Sequence, residues 1–581
     1  MLQFLSLPIL IWLLFLSILL WKKFKAKSQS HKLPPGPWQL PVLGNLHQMA
    51  FSNKLTYRIL KDLADKYGPI MRLQLGEMPG VVISSPELAK DVLIRHDTAF
   101  AQRRNFRAVD MISYNSSVVF APYCDYWRQI RKVYVMELLS AKRVQSFRSI
   151  REEEVENLLE TLSLSGGLPI DLSEKIFSLI HGINSRAAFG KKYKHQKELI
   201  SLLKDFNILS GGFSLLDFFP SLVGFLTGKT PAMLKICQKV DAILDDTLND
   251  HLMERSASTS ACTDHIVHVL LNLKEAGELE FNLTSKHVKA IILELFFVGS
   301  DTSATTIEWA MSELLKNPKA MEKAQAEVRQ VFDGRNIDDN DEKDIQKLDF
   351  LKTVVKETLR LYPPTPLTTR KSGAKCEIGG YEITEDTTVY INIWGLARDP
   401  NYWVDANCFH PERFLGSSVD LKGNNFEFLA FGAGRRICPG ITYALANIEL
   451  TLCRLLYHFN WKLPNGIKPE ELDMEVSPGL TYRKKILFGF DHPDVETVIN
   501  SYVDGYTLTE PFQKFVPVNE FNTQYAQTQE LELEKKLLAE IEEAKKKKQE
   551  DGKELRFVNE ECATGEGSGL CGSHVFRFGQ D

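Results

Sequence analysis

Residues 431–440 read Phe-Gly-Ala-Gly-Arg-Arg-Ile-Cys-Pro-Gly, and almost every position has a chemical reason. Cys438 offers a thiolate, which binds ferric iron and pushes electron density toward O–O cleavage. Pro439 suits the first turn of a helix, where no N–H is needed. A helix running from Gly440 puts Ile441, Leu445, Ile448, Leu452 and Leu455 on one face. Its positive end favours an anionic sulfur. Gly432 and Gly434 allow a tight loop whose backbone N–H groups approach that sulfur, and Arg436 can pair with a haem propionate. A lone cysteine ahead of a helix is usually a buried structural residue. With Phe431, Gly434, Arg436 and Gly440 in place, the haem-ligand reading is the stronger one.

Other segments suit the same centre. Residues 286–316 form one long apolar-rich helical pattern, capped by Thr284 or Ser285 and ended by Asn317-Pro318. Within it stands Val298-Gly299-Ser300-Asp301-Thr302-Ser303. A glycine inside a helix costs about 1 kcal/mol against alanine, and close approach of haem and oxygen would explain Gly299. Asp301 and Thr302 set an acid beside a hydroxyl, a pair suited to proton delivery. Glu357 and Arg360 share a helix face by their spacing. The bland alternatives are a kinked helix with solvated polar residues and an ordinary charged helix.

The decamer reproduces F-x-x-G-x-R-x-C-x-G, the signature of the cytochrome P-450 superfamily, which residues 30–488 resemble throughout. The opening Leu-Pro-Pro-Gly-Pro-Trp at 33–38 and Tyr-Pro-Pro-Thr-Pro-Leu-Thr-Thr-Arg at 362–370 are similar to the plant microsomal family-71 group, terpenoid hydroxylases above all. The resemblance implies a mainly α fold with a small β-sheet, the cytochrome P-450 fold, preceded by an N-terminal transmembrane helix. It implies haem ligated by Cys438, with Phe431 and Arg436 beside it. Asp301 and Thr302 match the family's [AG]-G-x-[DE]-T-[TS]; Val298 departs from it and crowds the distal pocket. Trp127 and Arg131 match W-x-x-x-R and would hold one propionate. Arg370 would hold the other, although Thr369 stands where the plant pattern has proline. Glu357, Arg360 and Arg413, the last from Pro-Glu-Arg-Phe at 411–414, would form a buried charge network that braces the haem loop. By the same analogy 105–120, 291–298, 365–368 and 478–481 line the substrate pocket. Phe106, Ile112, Phe296, Val298, Leu367 and Leu480 make it apolar and terpene-sized.

The activity implied is insertion of one oxygen atom from O2 into a lipophilic molecule. Electrons would come from NADPH through a separate NADPH–cytochrome P-450 reductase, because the chain has no flavin or nucleotide motif. Arg128, Lys132 and Arg435 could give that acidic partner a basic docking face. Two rival readings are a haem-thiolate isomerase or dehydratase that needs no O2, and a membrane-anchored haem-binding protein without turnover. The acid–alcohol pair argues against both.

Composition sets the frame. The chain has 581 residues, 44% of them apolar, and a net charge of −5, so no nucleic-acid footprint is visible. Nine cysteines, none in a CxxC pair, point to a reducing compartment. Residues 2–21 are uncharged and mostly apolar; about 20 helical residues match a bilayer core of ~30 Å. Lys22, Lys23, Lys25 and Lys27 follow, which keeps that flank cytosolic. A cleaved signal peptide is the competing reading, disfavoured because no basic residue precedes the run. The organisation expected is an anchor at 1–21, a basic and proline-rich linker at 22–37, the haem-thiolate domain at 38–490 and a tail at 491–581. The protein would be single-pass in the endoplasmic reticulum membrane with its catalytic domain cytosolic. The tail, with a charged helix candidate at 531–550, matches nothing in the family and reads as a solvated appendage, a fusion or a gene-prediction artefact. Strand-like runs lie at 70–75, 80–84 and 376–392.

Overall fold

The structure is a computed structural model that describes Ser17 and residues 32–484. Within that span it omits 51, 53, 105, 166–169, 193–194, 211–217, 220–230, 258–264, 333–340, 478–480 and 482. The apolar run at 2–21, the lysine cluster, Leu480 and the tail with its charged helix lie outside the described residues, Ser17 aside.

Alternating apolar side chains pair strands β1 (Ile70–Leu75) and β2 (Met78–Ile83) as a tight antiparallel hairpin. Helix α1 (Asp125–Val133) follows and buries Trp127, Ile130 and Val133. Helix α2 (Leu172–Phe189) starts at Asp171, whose carboxylate accepts the Glu174 N–H at 3.0 Å, and stops at Gly190, left-handed at φ 77°. Helix α3 (Pro231–Ala257) leads toward the longest element, α4 (Ser285–Lys316). The Thr284 N–H donates to His287 Nδ1 at 3.1 Å, which closes its first turn. By length and composition α4 could cross a membrane, yet 67% of its most apolar window is buried inside the protein, as a core helix should be. Helix α5 (Asp349–Leu361) carries Glu357 and Arg360.

The run at 376–392 resolves into three strands. With β3 (Thr368–Lys371) they are β4 (Cys376–Ile378), β5 (Tyr381–Ile383) and β6 (Thr388–Ile391). Thr-Thr-Arg-Lys has no apolar alternation, so nothing local marks β3; it exists because β6 pairs with it antiparallel. One sheet has the order β1-β2-β6-β3, and β4-β5 is a separate hairpin. Helix α6 (Ile441–His458) then packs on α4. Its first helical residue is Ile441, with Gly440 as the cap, so Pro439 stands just outside the first turn rather than in it.

The apolar core is one large helical cluster, including Ile291, Ala304, Ile307, Val354, Ile448 and Leu452, with two smaller clusters against the sheet. The last residues of the linker belong to this body. The Pro35 carbonyl accepts the Arg72 N–H of β1 at 2.7 Å, and a Cβ on Gly36 would meet the Arg72 carbonyl oxygen at 2.2 Å.

Candidate active site

The cysteine loop is built by glycines. Gly432 and Gly434 have φ 72° and 68°, and a Cβ on Gly434 would fall 2.2 Å from the Leu93 carbonyl oxygen, so no larger residue fits. The turn brings the Cys438 N–H to the Phe431 carbonyl at 3.0 Å and the Gly440 N–H to Cys438 Sγ at 3.4 Å. Burial pushes the thiol pKa up; the Gly440 N–H and the Arg131 guanidinium act against it. Sγ thus sits at a helix start, partly open, with a donor already aimed at it.

Four arginines gather beside this loop. Arg436 is buried and donates to the carbonyls of Ala101 at 2.5 Å and Ala121 at 2.6 Å. Its guanidinium lies 4.5 Å over the Trp127 ring. The Trp127 indole N–H goes to the Val118 carbonyl at 2.8 Å, so in this structure Trp127 meets the cluster through its ring. Arg131 donates to the Ile437 carbonyl. Arg370 donates to Thr369 O at 2.9 Å and Thr368 Oγ1 at 3.2 Å. Arg103 reaches the Thr369 carbonyl, and its Nε is buried with no partner among the described residues. Burial, then the neighbouring arginines, lower Arg436 to about 9 and Arg370 well below its ordinary value; burial alone lowers Arg103 to about 10. No carboxylate pairs with Arg103, Arg370 or Arg436 among the described residues. Uncompensated buried charge is costly, so this cluster is shaped for an anion.

Helix α4, which packs on α6 beyond the cysteine loop, carries the acid and hydroxyl. Asp301 is buried and accepts from Thr481 Oγ1 at 3.2 Å. Thr302 Oγ1 donates to the Val298 carbonyl one turn back at 2.9 Å. Val298 is 37% exposed, so it borders open space rather than core. Phe296 does not share that face. Two helical residues are about 200° apart, and its buried ring packs 5.0 Å from His181 of α2. Leu295, half-buried and three residues before Val298, shares that residue's side of the helix and lies within the 291–298 run expected to line the pocket. Phe106 is half-buried, edge-on to Phe120 at 5.9 Å. Ile112 is buried in the main core, and Leu367 packs against the sheet cluster. A Cβ on Gly299 would meet Asn184 of α2 at 3.5 Å, an ordinary contact.

Glu294 links the two sides. Its carboxylate accepts from Ser117 Oγ at 2.5 Å, Tyr134 Oη at 2.8 Å and the Val118 and Val119 N–H groups at 3.0 Å each. Burial pushes its pKa up, and these four donors pull it back. The peptide unit joining Val118 to Val119 turns its carbonyl to Trp127 and Arg436, and Arg436 also reaches the next carbonyl, that of Val119.

Residues 34–487 match the family profile described as Cytochrome P450. Melianol synthase of Ailanthus altissima is 51% identical over 83% of this chain and 94% of its own length. Premnaspirodiene oxygenase of Hyoscyamus muticus is 47% identical over 81% and 95%. A zebra fish cytochrome P450 structure with progesterone superposes with a TM-score of 0.65 at 22% identity, covering 76% of this chain and all of that one. The chain belongs to the cytochrome P450 family. It is a monooxygenase of the plant family-71 kind, with thiolate-ligated haem as cofactor and NADPH electrons supplied by a reductase.

The residues of this P450 fit haem. Cys438 Sγ would bind the iron, and the arginine cluster, unpaired with any carboxylate among the described residues, would hold the propionates. Arg103 was not singled out from sequence; its signal is the Arg103-Arg104 pair following Phe100-Ala101-Gln102. Behind the loop, Glu357 accepts from Arg360 Nε at 2.7 Å and Nη2 at 2.8 Å, from Arg413 Nε at 3.0 Å and from the His410 N–H at 2.8 Å. Arg360 also caps the carbonyls of Ala397, Ala406 and Cys408. On the outer face Arg128 and Arg435 flank the Tyr123 ring at 5.6 and 5.7 Å, each already paired with an acid, Asp125 and Asp97.

Proposed function

We propose that this P450 oxidises a terpenoid at a site bounded by Cys438 on one side and by Asp301 and Thr302 on the other. The observation that carries the reading is the pairing of a cysteine sulfur at a helix start with a buried acid and adjacent hydroxyl on α4. Bound haem supplies the activation of O2. The chain's own residues do the rest. Arg103, Arg131, Arg370 and Arg436 hold the propionates, with Trp127 beneath Arg436. Asp301, anchored by Thr481, holds a proton near the reacting oxygen, and Thr302 presents its hydroxyl there. Phe106, Val298 and Leu295 exclude water and orient an apolar substrate. Glu357, Arg360 and Arg413 hold the loop.

The terpenoid assignment is supported by the names of two relatives at about half identity, melianol synthase and premnaspirodiene oxygenase. We place residues 38–490 in the cytosol, tethered to the endoplasmic reticulum by 1–21, with the reductase docking at Arg128, Lys132 and Arg435. The apolar run supports the tether, as do exposed Trp38, Val42 and Leu43 at the end of the linker that follows it. A spectral binding screen of terpenoids on the full chain, followed by NADPH oxidation and product analysis with the reductase, tests this. Tight binders converted in an O2-dependent way are expected. Conversion without O2 would favour the isomerase reading, and binding without turnover the non-catalytic one.

A further inference from the structure

Three helices meet behind the acid–alcohol pair, and they meet through polar groups. Asn184 of α2 is 5% exposed, with Ile180, His181, Ala187 and Ala188 a turn away on its own face, a mostly apolar setting that an aliphatic residue would fill more cheaply. Its Oδ1 accepts from Tyr443 Oη of α6 at 2.6 Å, and its Nδ2 donates to Ser300 Oγ of α4 at 2.7 Å. Both hydroxyls can donate or accept, so the amide bridges Tyr443 and Ser300 in either orientation. Tyr443 lies five residues after Cys438, and Ser300 directly precedes Asp301. One unbroken chain therefore joins the sulfur-bearing helix start to the proton-delivering turn.

A second observation extends it. Asn447, one turn after Tyr443 on α6, is fully buried. Its amide reaches the Tyr443 phenol, and that bond, with Arg151, opposes the rise in the phenol's pKa that burial causes. The amide has no further partner among the described residues, so most of its bonding capacity is unmet. Ser303, one turn after Ser300, has a buried hydroxyl oxygen with no partner among the described residues. A buried amide left unsatisfied costs about 1–3 kcal/mol, and native proteins meet that need with an internal water making about three hydrogen bonds.

We propose that Tyr443, Asn184 and Ser300 form a strut that positions Asp301 and Thr302 relative to Cys438, and that Asn447 holds a buried water against it. Apolar helix interfaces resist sliding weakly; a directional hydrogen bond at each end fixes register. The Tyr443 ring, edge-on to Phe147 at 6.5 Å, would pack equally well as phenylalanine. Its hydroxyl is there for the strut.

The inference rests on Asp301 and Thr302 acting as the proton-delivering pair, and the test separates the two. Tyr443→Phe, Asn184→Leu, Thr302→Ala and the control Tyr402→Phe are prepared as holoenzyme. Tyr402→Phe removes a hydroxyl bonded to the Glu87 carboxylate, outside the strut and the pocket-lining segments. Two readouts need no substrate: the CO-stretching band of the reduced protein, with carbon monoxide as probe, and the rate at which reduced protein mixed with O2 returns to the ferric form. Tyr443→Phe and Asn184→Leu should shift or broaden the band and speed the return several-fold, while Tyr402→Phe changes neither. If Tyr443→Phe folds, takes up haem and leaves both readouts at the wild-type values, the strut is wrong; this variant decides even if Asn184→Leu fails to fold. If Thr302→Ala leaves the return rate unchanged while Tyr443→Phe moves the band, the strut stands and the proton-delivery reading fails. A crystal structure of the holoenzyme without an ordered water on Asn447 would remove that part of the proposal.

Discussion

Replacing Glu357 by alanine tests whether the charge network behind the haem loop is structural. Glu357 and Arg360 are both 0% exposed, so truncating the acid strands a guanidinium in the core. Removing one member of a buried pair typically costs about 3–5 kcal/mol, against a total stability of about 5–15 kcal/mol. The His410 N–H and Arg413 Nε lose their acceptor as well. The variant should melt far below wild type and retain little haem, read by differential scanning fluorimetry and by the CO-difference absorbance. The double variant Glu357→Leu with Arg360→Met sharpens the test. A simple buried ion pair is often replaced by apolar residues at no cost. Here Arg360 also satisfies three carbonyls, at 2.7, 2.7 and 3.2 Å, and apolar replacement leaves those of Ala397 and Ala406 bare and that of Cys408 with Arg413 alone. At about 1–3 kcal/mol for each unsatisfied group, the double variant should remain several kcal/mol below wild type. A double variant as stable as wild type would refute the reasoning.

Cys438→Ser should abolish the thiolate-type absorbance shift of the reduced, CO-bound protein; a normal shift would remove Cys438 as the ligand. Arg103→Met relieves a buried charge next to Arg370 and Arg436, so the haem-free protein should melt higher while haem is lost faster; slower haem loss would contradict the propionate assignment. Phe296→Ala should cost about 3–5 kcal/mol as a core truncation and leave the terpenoid binding spectra alone, whereas Leu295→Ala should change them; the reverse pattern would restore Phe296 to the pocket. Glu449 is raised by burial to about 7, with Lys352 acting weakly against it. The native state therefore holds a proton that the unfolded chain releases near the usual carboxylate value, and stability falls as pH rises from about 4.5 through 7. Glu449→Gln should match wild type at the acid end of that window and exceed it at pH 8 by up to about 3 kcal/mol; a difference that does not grow with pH in chemical denaturation would sink the assignment.

The sequence disclosed the residues whose type the chemistry dictates. A haem thiolate must be cysteine, its loop needs glycine at φ 72° and 68°, and a helix must start beyond it, so one decamer carries all three demands. The long helix was legible for a related reason: its caps and apolar run are local. Which way Phe296 turns was not legible, because periodicity says that a face exists but not which neighbour it meets, and His181 of α2 lies on that side. β3 was invisible because its partner, not its residues, makes it a strand.

What stayed hidden has a common cause. Arg103 meets Thr369 across 266 residues, Glu294 meets Val118 across 176 and Tyr443 meets Asn184 across 259. None of these has a fixed spacing to search for, and each polar group alone reads as surface. Their work is also of one kind. Cys438, Arg436, Asp301 and Thr302 come from segments far apart in the chain, and an apolar interior gives only loose control over where such segments stand. Directional bonds supply the missing precision. The Glu294 carboxylate takes the N–H ends of peptides 118 and 119, while Trp127 and Arg436 take carbonyls of the same stretch. A peptide plane held at both ends cannot rotate, so the helix above the haem site and the arginines beside it are fixed through a segment that itself need touch neither substrate nor iron. Changing Glu294 should therefore alter haem environment and substrate fit together, whereas changing Val298, which only borders the pocket, should alter fit alone.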